Sequence, residues 1–153
     1  MWNFIARMTG LASEQPPERV RTGRSQAPRR SEIADIEMIG HTAVATITVT
    51  SLSGMDGAGR LAELLDEIAD TVALDLILDV QNVSDMDSAC LGVMVQAGNY
   101  MRQTGGQIAV VNADRTVQYL FKLTRLDRVF PICADVMTAL KTIERQREAR
   151  RAG

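Results

Sequence analysis

Histidine, cysteine and aromatic side chains are all scarce in this chain, and each scarcity closes a route to function. His41 is the only histidine, so a Ser/His/Asp arrangement would need that one ring correctly placed. Beside Gly40 it reads more simply as a turn or edge-strand residue. Cys90 and Cys133 have no CxxC spacing and no histidine pair nearby, so neither a disulfide nor a metal site is expected. Aromatics make up 4% of residues against 46% hydrophobic overall, which predicts an aliphatic core. No apolar run reaches the roughly 18 residues of a membrane span. Met1 to Arg7 lacks the basic stretch and long apolar run of a secretory signal, so a cytoplasmic location is expected. A phosphate-cradling loop is missing too: Gly54 to Gly59 is glycine-rich but lacks the lysine, and reads as a flexible helix start. Asp85 and Asp87, two residues apart on a loop, would hold a divalent cation only weakly. Neither enzymatic activity nor a cofactor is expected.

What is present is unevenly charged. The net charge is −2, yet residues 1–30 carry six Arg against Glu14 and Glu18, and residues 141–153 carry five Lys/Arg against Glu144 and Glu148. The intervening 31–140 therefore carry −9. An acidic body is a poor match for nucleic acid, whose phosphates dominate affinity. The basic ends read as solvated tails or partner contacts.

Residues 13–30 are rich in Pro, Arg, Ser and Gln without apolar periodicity and read as a disordered linker. Ahead of them Trp2, Phe4, Ile5, Met8 and Leu11 form one stripe of a short helix, either docked or left free. From Ile33 the pattern changes. Ile33 to Ile39 and Thr42 to Thr50, separated by Gly40-His41, predict a hairpin or neighbouring strands. Leu61, Leu64, Leu65 and Ile68 recur at helical spacing, predicting a helix over Asp56 to Val72. Leu74 to Val80 is a short apolar strand of the kind buried on both faces. Gln81 to Asp87 reads as a polar loop, Ser88 to Thr104 as a helix stopped by Gly105-Gly106, and Gln107 to Val111 as a strand. Val117, Leu120 and Phe121 mark another helix. Val129 to Ile132 reads as an edge strand because Pro131 has no amide to donate, and Asp135 to Arg150 as a last helix. Strands alternating with helices predict an α/β domain with a mainly parallel or mixed sheet.

At Asp87-Ser88 a loop becomes a helix, and either side chain there suits a plain cap. The surrounding residues, however, resemble the STAS family, and bacterial anti-sigma factor antagonists in particular. The strand end Leu78-Asp79-Val80 is followed by Met86-Asp87-Ser88-Ala89-Cys90-Leu91-Gly92, similar to a family pattern of Asp-Ser-Ser/Thr-Gly-Leu-Gly. Thr104-Gly105-Gly106-Gln107-Ile108-Ala109-Val110-Val111 looks like the family's Gly-Gly turn and strand. Leu120-Phe121-Lys122-Leu123-Thr124-Arg125-Leu126 is similar to its Leu-Phe-x-x-x-Gly-Leu segment. The likeness spans about residues 33–143, in the family's order and spacing.

The resemblance implies a compact single STAS-like domain over 31–145, with a mixed central sheet and about four helices. It leaves 1–30 as a flexible extension and 146–153 as a basic tail. It implies a non-enzymatic regulator of transcription that binds a serine-kinase anti-sigma factor or related kinase while Ser88 is unphosphorylated. A PP2C-type phosphatase would restore Ser88, and self-association is left open. The implied partner surface is Ser51, Ser53, Asp85, Met86, Asp87, Ser88, Ala89, Cys90 and Leu91. A phosphate on Ser88 would meet the amides and positive dipole of a helix start, so the domain would survive. Asp85 and Asp87 beside it would make the docking surface sharply negative. The alternative is a constitutive STAS scaffold or transporter-associated subunit in which Ser88 is only a helix cap. Departures from the family pattern are Ala89 at the second hydroxyl position, Cys90 and Arg125 in place of glycines, and no acid within Thr50 to Ser53, where Asp56 is the nearest substitute.

Overall fold

The computed structural model describes residues 29–152. The apolar stripe expected between Trp2 and Leu11, and the linker up to residue 28, lie outside them. Among the described residues a six-stranded sheet carries four α-helices, as the alternating pattern predicts. The hairpin is present: β2 (Ala34–Ile39) and β3 (Thr42–Ile47) run antiparallel around Gly40-His41. A short β1 (Arg29–Arg30) pairs with β2, so strand pairing begins inside the stretch read as linker. From β3 the sheet continues in parallel through β5 (Asp75–Asp79), β7 (Ile108–Val111) and β8 (Ile132–Cys133). A separate two-stranded parallel ribbon joins β4 (Ser51–Leu52) to β6 (Asp85–Met86).

Strand side chains alternate between faces, and this sorts the core into two layers. Ala43, Ala45, Ile47, Leu76, Leu78, Ile108 and Val110 point to one face. There they meet Leu61, Leu64, Leu65 and Ile68 of α1 (Gly54–Ala69), Leu91, Met94 and Ala97 of α2 (Ser88–Gln103), and Val117 and Phe121 of α3 (Arg115–Leu123). Val44, Ile77, Ala109 and Val111 point the other way, against Ala139 and Ile143 of α4 (Val136–Ala152). Helices on both faces explain why all of β5 is buried.

Two readings of the chain's end change. The last helix, expected over Asp135 to Arg150, runs on through Ala152 and so takes in most of the basic stretch 146–153. Its Arg147 ion-pairs with the fully buried carboxylate of Asp75. That carboxylate also accepts from the Gln107 amide at 3.1 Å. A buried carboxylate needs such partners, and the charge pattern alone does not show which basic residue supplies them. The edge strand falls at Ile132–Cys133 rather than Val129 to Ile132. Pro131 precedes it and contributes through its carbonyl, which accepts from the Val110 amide at 2.9 Å.

Arg125, where the family carries glycine, stands in the left-handed region at φ +59°, between α3 and a 3-10 turn at Leu126–Arg128. An L side chain there costs roughly 1 kcal/mol relative to glycine. Arg125→Gly is therefore expected to stabilise the domain by up to about 1 kcal/mol, read as a higher urea midpoint. A lower midpoint would show that the arginine side chain contributes more than its backbone costs.

Candidate functional site

β4 follows β3, and β6 follows β5, so both ribbon strands leave the carboxyl ends of neighbouring parallel strands. α1 and α2 start just beyond them. Two helix N-termini thus converge beside one ribbon, and with them two sets of amides that have no partner inside their own helix.

Asp87 serves both. It is the N-cap of α2, and its Oδ1 accepts from the Cys90 amide at 3.1 Å. Its Oδ2 accepts from the Gly54 amide at the start of α1, at 2.6 Å. The Asp87 amide in turn donates to the Leu52 carbonyl at 3.1 Å. Ser53 is the N-cap residue of α1 by position but makes no side-chain cap bond. Its hydroxyl lies 2.8 Å from that of Ser51, which donates to Asp85 Oδ2 at 3.1 Å. The structure therefore brings together Ser51, Ser53, Asp85 and Asp87, which the sequence places 34 residues apart. The carboxylate that reaches Ser51 is Asp85; Asp56 stands in the first turn of α1.

Ser88 is the first residue of α2 and is exposed. The cap belongs to Asp87, which corrects the reading of Ser88 as a helix cap. The amides expected to await a phosphate are also partly engaged, because Asp87 already holds those of Cys90 and Gly54. Of the other residues in the expected partner surface, Met86, Cys90 and Leu91 are buried and face the core. They support the surface from below. Asp85, Ala89 and Ser51 are exposed, and Asp87 and Ser53 partly so.

Cys90 replaces a family glycine without enlarging this surface. Its side chain turns inward against Gly57, where a Cβ would lie 3.6 Å from the sulfur and 3.0 Å from the Leu52 carbonyl carbon. Gly57 thereby lets α1 approach β4 closely, so the glycine-rich stretch is a packed first turn of helix and not a flexible lead-in. Burial, reinforced by the charge of Asp87, pushes the Cys90 thiol up to about 12, so it stays neutral and unreactive.

Hydrogen bonds from the Cys90 and Gly54 amides hold the Asp87 carboxyl below its usual range. A depressed folded-state value means that its contribution to stability is complete above the unfolded value and is lost as pH falls through the folded one. Asp87→Asn, which carries no charge to lose, is expected to show a shallower decline of urea midpoint than wild type between about pH 5 and pH 2. Parallel declines would show that the carboxylate's charge is not what the two amides hold.

The position of Asp87 as a link between two helices was hidden from the sequence, because Gly54 is 33 residues away and contributes only its backbone. The inward turn of Cys90 was hidden for a similar reason. Its space is created by the absence of a side chain at Gly57.

Comparisons with known proteins agree with this fold. The STAS domain profile matches residues 35–139. The Anti-sigma F factor antagonist of Paenibacillus polymyxa is 30% identical over 69 residues, 45% of this chain, and the chain spans 59% of that relative's length. A crystal structure of an anti-sigma factor antagonist from Mycobacterium paratuberculosis superposes with a TM-score of 0.63 at 20% identity, over 72% of this chain and 92% of that one. The anti-sigma factor antagonist SpoIIAA in its unphosphorylated form gives 0.60 at 18% identity, over 72% and 96%. With the profile covering most of the described residues, the chain belongs to the STAS domain family.

Proposed function

We propose that this protein is a phosphorylation-controlled partner-switching regulator, an anti-sigma factor antagonist without enzymatic activity of its own. It binds a serine-kinase anti-sigma factor, or a related kinase, through the surface formed by Ser88, Ala89, Asp85, Asp87, Ser51 and Ser53. Phosphorylation of Ser88 releases it, and a PP2C-type phosphatase restores binding. The observation that carries this reading is the placement of Ser88. It is exposed as the first residue of α2, while Met86, Cys90 and Leu91 around it are buried and fix the backbone.

Charge explains why the switch acts on docking and not on folding. A phosphate at Ser88 adds about −1.5 to −2 at pH 7. It lies at the positive end of α2, which tolerates it, and beside Asp85 and Asp87, with which it turns the docking surface sharply negative. Because Asp87 already occupies nearby amides, the phosphate shares donors instead of finding a vacant set, and more of its charge faces outward.

The direct test is intact mass after incubation with ATP and the serine kinases of the same genome. Wild type is expected to gain one phosphate and Ser88→Ala none. Equal modification of both, or none of wild type by any of those kinases, would overturn the reading.

A further inference from the structure

At the other end of α2 lies a cleft of about 370 Å³ that the switch does not use. Gly98 and Arg102, one helical turn apart on α2, line it together with Gln146 and Arg150, one turn apart on α4. Between them lie the 3-10 turn with Asp127 and Arg128, and the segment Val129, Phe130 and Pro131 that leads into β8. Gln107 and Ile108, at the start of β7, close the floor. Arg102 is about 21 Å along α2 from Ser88, from the helical rise over 14 residues.

Three arginines from three separate elements thus line one concavity, with Asp127 the only carboxylate among the lining residues. Among the described residues none of these arginines has an ion-pair partner; Arg60 and Arg147 are paired elsewhere. Like charges gathered around one cleft repel one another, and an anion relieves that repulsion. The body of this protein is otherwise acidic, which makes a local excess of two positive charges at this cleft more pointed. The cleft falls within the roughly 300–1,000 Å³ of small-molecule sites. Its floor is mixed, with Phe130 and Ile108 buried alongside Gln107.

We propose that this cleft binds a phosphate monoester of a small organic molecule. Guanidinium forks match phosphate oxygens in pairs, and the dianion answers more than one arginine. The organic portion lies over Ile108, Phe130 and Pro131, and Asp127 and Gln146 are placed to accept or donate to its polar groups. The site stands apart from Ser88, so it does not depend on the phosphorylation reading.

Calorimetric titration of the full chain with phenyl phosphate at low salt tests it, with inorganic phosphate as comparator. Phenyl phosphate is expected to bind with a Kd below about 1 mM and more tightly than inorganic phosphate. Arg102→Gln and Arg128→Gln are each expected to weaken it about tenfold or more, with Ser88→Ala unchanged. Both arginines are exposed, so these variants are expected to keep the wild-type thermal midpoint. Absence of binding at about 10 mM, equal affinity for inorganic phosphate, or affinity unaltered by both substitutions would overturn the proposal.

Discussion

Ser88→Asp is expected to weaken binding to a serine-kinase anti-sigma factor by at least about 100-fold, while Ser88→Ala binds as wild type does. Placing like charges together at an interface costs several kcal/mol, and each 1.4 kcal/mol is about tenfold in affinity. The new carboxylate would join Asp85 and Asp87 on a surface whose neighbours underneath cannot move aside, since Met86, Cys90 and Leu91 are packed into the core. Its effect on the fold is expected to be small. A carboxylate in the first turn of a helix is worth a few tenths to about 1 kcal/mol in its favour, offset here by the adjacent acids. Binding measured by calorimetry alongside thermal unfolding separates the two effects. Equal affinity of the Asp and Ala variants for the partner would rule out charge at this position as the switch. A collapse of the thermal midpoint would show that Ser88 supports the fold.

Gly106→Ala is expected to be the most damaging single-methyl substitution at the glycines discussed, costing about 4 kcal/mol or more. A Cβ at Gly106 would lie 1.8 Å from the Leu74 carbonyl oxygen and 3.0 Å from its carbon. Both atoms are backbone, so no rotamer change relieves the clash. Leu74 leads into β5 and its amide is held by the His41 carbonyl at 2.7 Å, which limits how far it can withdraw. The neighbouring Gly105 is a useful contrast. It has open space around a Cβ but a φ of +84°. Gly105→Ala should therefore cost only about 1 kcal/mol. Urea unfolding of the two variants checks the ranking, and similar losses would contradict the close approach at Leu74.

The comparison of sequence with structure divides along one line. Elements whose signal is periodic were legible: the hairpin around Gly40-His41, the leucines of α1, and β5, buried on both faces. The stop at Gly105-Gly106 was legible as a helix end, but the pair does two jobs. Gly105 turns the chain while Gly106 makes room for Leu74. The ribbon of β4 and β6 was not visible, because two-residue strands carry no period and Gln81 to Asp87 reads as polar loop. In the candidate site, Ser88 stood out through its motif. The roles of its neighbours depended on which way each side chain turns, and burial at Met86, Cys90 and Leu91 is set by packing against α1 and the sheet. The arginines of the distant cleft, spread from Arg102 to Arg150, share no local pattern at all.

The ribbon's isolation has a consequence for how such a protein can diverge. β4 and β6 bond to each other and not to the six-stranded sheet, and the outward residue of each pair, Ser51 and Asp85, is exposed while Leu52 and Met86 anchor beneath. Substitution at the outer positions can change the polar face of the ribbon without disturbing the two layers of aliphatic contacts that keep the domain folded. On the proposed reading, copies of this domain would differ in their companions through those few outer polar atoms alone.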